Sequence, residues 1–270
     1  SAFFTGSIYS VFGFIGTWAP TDEYILKDET WGLRIFASIL FLMIVWIVSF
    51  IVAAVILCTR KRIEVFQTDR GHSVYVQYGN FFDANIVNHP LKRRNLVFSV
   101  NRCFDTLVDD DLIRKNSIHG QVVKRICEVK GYSFDMLNME LQKRLSNYTA
   151  GIEKLERHQK RKGNLLRYQP GTILEFELTE QENYFFVGFS WFDEALHAQH
   201  SEEDYQIVMI KILEYCQKRS QGYPLVIPLI GSETYSDKVD YAKEDILQYM
   251  VSFFKLNTKL INCDIHIVVS

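Results

Sequence analysis

The chain has 270 residues, 23% of them charged, and a formal net charge of −2. That balance gives no electrostatic case for nucleic-acid binding. Five cysteines, Cys58, Cys103, Cys127, Cys216 and Cys263, form no Cys-x-x-Cys pair and no metal-ligand spacing with histidine, so neither a disulfide framework nor a metal centre is expected.

Ala2 to Ala19 is an apolar run closed by Pro20. It lacks the basic start and small-residue cleavage site of a signal peptide, and at about 18 residues it is just long enough to span a bilayer. Ile35 to Cys58 follows, 24 residues without a charge, or roughly 36 Å of helix. The two runs predict a transmembrane helical hairpin over residues 1–62, with helices at about 2–19 and 34–58. The connection holds Asp22, Glu23, Asp28 and Glu29 against Lys27, whereas Arg60, Lys61 and Arg62 follow the second helix. Positive charge stays inside, so residues 63–270 are expected in the cytoplasm. Gly6, Ser10, Gly13 and Thr17 form a small, weakly polar stripe. It either packs the two helices of one hairpin, packs hairpins from several chains, or lines a water-filled path.

From Ile63 the pattern becomes that of an α/β domain. Strands are predicted at 63–67, 73–78, 95–101, 171–178, 184–190, 223–230 and 263–269. Helices are predicted at 120–130, 134–162, 204–219 and 243–254. The 134–162 helix takes Met136, Met139, Leu141, Leu145, Ile152 and Leu155 as its apolar side and ends in the basic run Lys154, Arg157, Lys160, Arg161 and Lys162. Asp105, Asp109, Asp110 and Asp111 do not match an EF-hand and read as helix-flanking acids. Alternating strands and helices imply a three-layer α/β/α domain with a mixed, mostly parallel sheet. In such sheets ligands bind beyond the carboxyl ends of the strands, here the loops after Val100, Ser190 and Ile230.

Several short motifs fall on those loops in order: Asn101-Arg-Cys-Phe104-Asp105-Thr106, Ser117-Ile-His119-Gly120, Arg167-Tyr-Gln-Pro-Gly171, Phe189-Ser190-Trp-Phe-Asp193 and Ile227-Pro-Leu-Ile-Gly231-Ser232-Glu233-Thr234. Together they resemble the macrodomain-like module of bacterial anti-phage defence, and with the two apolar runs the chain resembles the membrane effector of type II Thoeris systems. The resemblance implies a sensor, not an enzyme, without metal or cofactor. It would bind an ADP-ribose derivative, a histidine conjugate, made by a TIR-fold partner. Gly231, Ser232, Glu233 and Thr234 would hold the pyrophosphate, with Asn80 and Phe81 near the adenine. Asn101, Phe104, Asp105, Thr106, Ser117, His119, Gly120, Ser190 and Asp193 would lie around the distal ribose and its substituent. The output would be homo-oligomerisation, to a tetramer or larger, and disruption of the inner membrane. Ordinary macrodomains have Asn-Ala-Ala-Asn where this chain has Asn101-Arg-Cys-Phe, and Gly-Asp where it has Gly79-Asn80. The alternative is a membrane-tethered ADP-ribosyl hydrolase using His119 and Asp105.

Overall fold

A computed structural model describes residues 31–59, 62–87, 89–232 and 242–269. The chain divides into two compact units, Ser1–Lys61 and Arg62–Ser270. In the first, helix α1 (Trp31–Thr59) runs for 29 residues. Many of its described apolar side chains are exposed, among them Phe41, Met43, Trp46, Val48, Phe50 and Val55, while Val45, Ser49 and Ala53 share a half-buried stripe. Over the residues described in full, no helix is long and apolar enough to cross a membrane. The expected hairpin is therefore not established by the fold, and its first helix, at about 2–19, lies outside the described residues.

The second unit is built on one large sheet. Its strands are β1 (Arg62–Gln67), β2 (Ser73–Tyr78), β3 (Arg94–Asn101), β6 (Ile173–Glu177), β7 (Glu182–Phe192), β8 (Ala198–Gln199), β9 (Leu225–Pro228) and β10 (Ile265–Val269). Their order is β1-β2-β10-β9-β3-β7-β6, with β8 added on β7. From β2 to β7 every neighbouring pair is parallel, and β1, β6 and β8 close the margins antiparallel. The expected α/β fold with a mixed, mostly parallel sheet is thus present.

Strand β3 explains the layering. Leu96, Val97 and Phe98 are all fully buried, because a central parallel strand is covered on both faces and reads as a continuous apolar run. Leu96, Phe98 and Val100 pack with α2 (Ile118–Lys130) and α3 (Phe134–Leu145) through Val122, Ile126, Leu137 and Leu141. Val97 faces the other way, with α4 (Glu202–Arg219) and α5 (Lys243–Leu256) supplying Val208, Ile212, Met250 and Phe254. Hydroxyl caps fix three helix starts: Ser117, Ser133 and Ser201 accept from the backbone N–H of Gly120, Met136 and Asp204.

One predicted element is corrected. The 134–162 helix stops at Leu145, and the chain beyond it forms an irregular excursion carrying a two-stranded ribbon, β4 (Glu153–Lys154) and β5 (Leu166–Arg167). The buried face of α3 is Leu137, Leu141 and Leu145, while Met136 and Met139 are exposed. Leu155 is buried, but as a partner of the ribbon, where its N–H donates to Leu165 O. Tertiary pairing overrides an apolar spacing that favours a helix.

Candidate functional site

Strands β2, β10, β9, β3 and β7 run in one direction, so their carboxyl ends share one edge of the sheet. Asn80 and Phe81 follow β2, Asn101 ends β3 and the turn to Thr106 follows it, Asp193 follows β7, and Gly231 and Ser232 follow β9. Glu233 and Thr234 lie outside the described residues.

The turn after β3 is the most constrained part of this edge. Asn101 is buried, and its Oδ1 accepts from Cys103 N at 3.1 Å and, at the limit of bonding, from Asp105 N at 3.5 Å. Phe104 N–H donates to Asn101 O, which folds Phe104 into a left-handed conformation at φ 51°. That conformation is strained for a bulky residue. The Phe104 ring is buried edge-on to Tyr168 and against Gly188, where a Cβ would lie only 3.3 Å from the ring. Burial pushes the Cys103 thiol up to about 11, so it stays protonated at neutral pH.

His119 joins the same turn from the start of α2. It is hydrogen-bonded to the backbone of Asp105, and burial holds its pKa down at about 4, so the ring is neutral at pH 7. Two buried polar atoms here have no hydrogen-bond partner among the described residues: Asn101 Nδ2 and His119 Nε2. Buried polar groups are almost always paired, so these two are the site's chemical signature.

Several expected contact residues serve the fold. Asp105 is buried in an ion pair with Lys160, 2.5 Å between Oδ2 and Nζ, and burial pushes its carboxyl up. Thr106 Oγ1 donates to Phe134 O. Ser117 caps α2, and a Cβ at Gly120 would collide with the backbone carbonyl of Arg114. Asn80 Oδ1 accepts from Phe82 N, and Phe81 is buried edge-on to Phe82. Ser190 stands beside Asn101 in the β3–β7 register and is buried, with its carbonyl accepting from Arg102 N at 2.7 Å. Asp193 accepts from His197 N within its own turn, and Ser232 Oγ donates to Leu229 O.

Gly231 (φ 88°) opens on a cavity of about 310 Å³ between the starts of α4 and α5, lined by His200, Tyr205, Gln206, Ile246 and Tyr249. Tyr205 packs edge-on against Phe189 and Tyr249, and its buried hydroxyl has no hydrogen-bond partner among the described residues. Burial raises the pKa of that hydroxyl. Neither Tyr205 nor Lys160 stands out in the sequence, because one sits on an amphipathic helix and the other within a basic run. Among the described residues no cluster of three or more His, Cys, Asp or Glu side chains could hold a metal ion.

A family model described as Thoeris protein ThsA, Macro domain, matches residues 74–270. The chain belongs to the ThsA macro-domain family. A curated relative, Thoeris protein ThsA of Bacillus amyloliquefaciens (strain Y2), is 26% identical over 188 residues, which cover 69% of this chain and 58% of the relative. The chain thus spans little more than half the length of that relative. In this macro domain the matched residues hold the whole sheet from β2 to β10, and with it the turn after β3.

Proposed function

We propose that the chain is an antiviral effector whose macro domain binds an ADP-ribose derivative, a histidine conjugate made by a TIR partner, and whose N-terminal part delivers the response at the bacterial inner membrane. One observation carries the binding half: the Asn101 amide, buried without a partner among the described residues at the carboxyl end of an interior strand of a macro domain. Leaving such a donor unsatisfied costs about 1–3 kcal/mol, which a ligand oxygen in that place recovers. The distal ribose and its substituent lie against Asn101 and His119, the pyrophosphate against the loop from Gly231, and the adenine towards Asn80 and Phe81.

Binding without turnover is the reading we favour over a membrane-tethered hydrolase. The two groups a hydrolase would recruit are engaged elsewhere. Asp105 is held by Lys160 and by Asn164 N–H, and His119 donates to the turn backbone. For the membrane half, α1 is roughly 44 Å long at 1.5 Å per residue. No Asp, Glu, Lys, Arg or His stands between Ile35 and Cys58, and among the described side chains Phe41, Trp46, Val48 and Phe50 are exposed beside a half-buried stripe of Val45, Ser49 and Ala53, which supports an apolar surface open to lipid next to a packing stripe. With Arg60, Lys61 and Arg62 behind it, the macro domain lies in the cytoplasm. Ligand binding then gathers copies into a tetramer or larger, and the membrane is disrupted.

Calorimetric titration of the full chain in detergent with ADP-ribose and with its histidine conjugate tests the binding half. The conjugate is expected to bind and to be recovered intact. Asn101→Asp keeps the acceptor that orders the turn and removes the donor, and is expected to weaken binding at least about tenfold. Absence of binding to both compounds would sink the reading.

A further inference from the structure

The acidic run after β3 and the basic run after β4 meet in space. Lys160 pairs with Asp105, Arg161 with Asp111 at 2.6 Å, and Lys162 with both Asp109 and Asp111. The outer pairs are partly to well exposed, whereas Lys160 and Asp105 are at 0% and 1% side-chain exposure. The contact is more than electrostatic. Lys160 Nζ also donates to Asn164 O at 2.8 Å, Asn164 N donates to Asp105 Oδ1 at 2.6 Å, and Asn164 Nδ2 reaches Cys103 O and Phe104 O. Gly163 (φ 81°) passes so close to the Asp105 carboxylate that a Cβ there would overlap it. A strap, residues 153–167, is thereby fastened to the 101–106 turn at three successive residues.

We propose that Lys160 and Asp105 are positioning residues of the ligand site: their buried ion pair ties the strap to the turn and holds Phe104 in the left-handed conformation that presents Asn101 Nδ2 and His119 Nε2. This rests on the ligand-site reading above. The chain of contacts is short. Asp105 carries the ion pair on its side chain, its N–H meets Asn101 Oδ1, and its backbone receives His119. Stability alone does not explain the pair. Two charges taken out of water regain little net free energy, and apolar replacements of similar volume are often as stable. What such a pair supplies is one allowed geometry, which a turn held in a disfavoured backbone conformation needs.

The test compares wild type, Lys160→Met, the double variant Lys160→Met with Asp105→Asn, and Val208→Ala on the opposite face of the sheet. The double variant leaves no lone buried charge and retains an acceptor for Asn164 N–H, so it is the one to read if Lys160→Met fails to fold. Each full chain in detergent is titrated with the histidine conjugate of ADP-ribose, and amide hydrogen exchange is followed at Cys103, Phe104 and Asp105. In the double variant affinity is expected to fall about tenfold, the equivalent of one misdirected hydrogen bond, and the three amides to exchange faster. Val208→Ala lowers the melting temperature but is expected to leave both unchanged. Wild-type protection of the three amides in the double variant overturns the proposal, as does wild-type affinity. If wild type itself takes up no conjugate, the ligand reading fails separately, and faster exchange in the double variant still establishes the hold of the strap on the turn.

Discussion

Gly120 shows how a residue's neighbours reverse its expected energetics. It is the third residue of α2, where alanine is ordinarily better than glycine by up to about 1 kcal/mol. Here a Cβ would overlap the backbone carbonyl of Arg114, which has no flexible end to swing aside. Gly120→Ala is therefore expected to destabilise the domain by about 1–3 kcal/mol, read as a lower urea midpoint; a higher midpoint would contradict the packing. The family resemblance implies a place for Gly120 near the ligand, and the return of the 114–117 turn adds a packing reason for a glycine there. His266 offers a second test. It is buried in the central sheet, stacked on Tyr75, and burial holds its pKa at about 4. Its folded value lies below the ordinary 6.5, so between these values the unfolded chain binds the extra proton and stability falls as pH falls. From pH 6.5 to 5 the loss from this residue is about 1.5 kcal/mol. His266→Phe keeps the ring and is expected to flatten that slope, measured by denaturant unfolding across the pH range.

At the scale of elements, strands and capped helices were legible because local chemistry decides them. Strand β3 reads as an unbroken apolar run, and α2, α3 and α4 each begin at a serine cap. The strap was not legible, because its fold depends on residues fifty positions away. Read locally, Lys160, Arg161 and Lys162 look like the solvated end of a helix, and Asp109 to Asp111 like helix-flanking acids; only their pairing gives either run its meaning. The same pairing separates energies by burial. Exposed pairs are worth about 0–1 kcal/mol each and are screened by salt. Replacing Arg161 and Lys162 together by glutamine is thus expected to move stability by less than about 1 kcal/mol and to leave conjugate affinity unchanged. Calorimetry and thermal melting check this, and a large loss of affinity would shift the hold on the turn from the buried pair to its exposed neighbours.

For the whole molecule, the proposed membrane role rests on a contrast between the two units. The domain Arg62–Ser270 hides its apolar residues in two cores, one on each face of the sheet. Helix α1 does the reverse, with Phe50 at 64% exposure, Trp46 at 57% and Val48 at 53%. A helix packed into a soluble core buries an apolar stripe and presents a polar one to water, whereas the described exposed side chains of α1 are apolar. Under the proposed membrane role Val48 lies near the middle of the uncharged run, where a lysine in lipid would cost about 2.5–3.5 kcal/mol by insertion scales. Val48→Lys is therefore expected to shift a measurable part of the full chain out of the carbonate-resistant membrane fraction, whereas Val55→Lys, nearer the basic end, shifts less because its ammonium reaches the interface. The ordering of the two variants is the informative result. Equal loss from both would point to a general fault in folding, and wild-type protein recovered in the soluble fraction would remove the membrane from the mechanism and leave the macro domain as a sensor in search of its output.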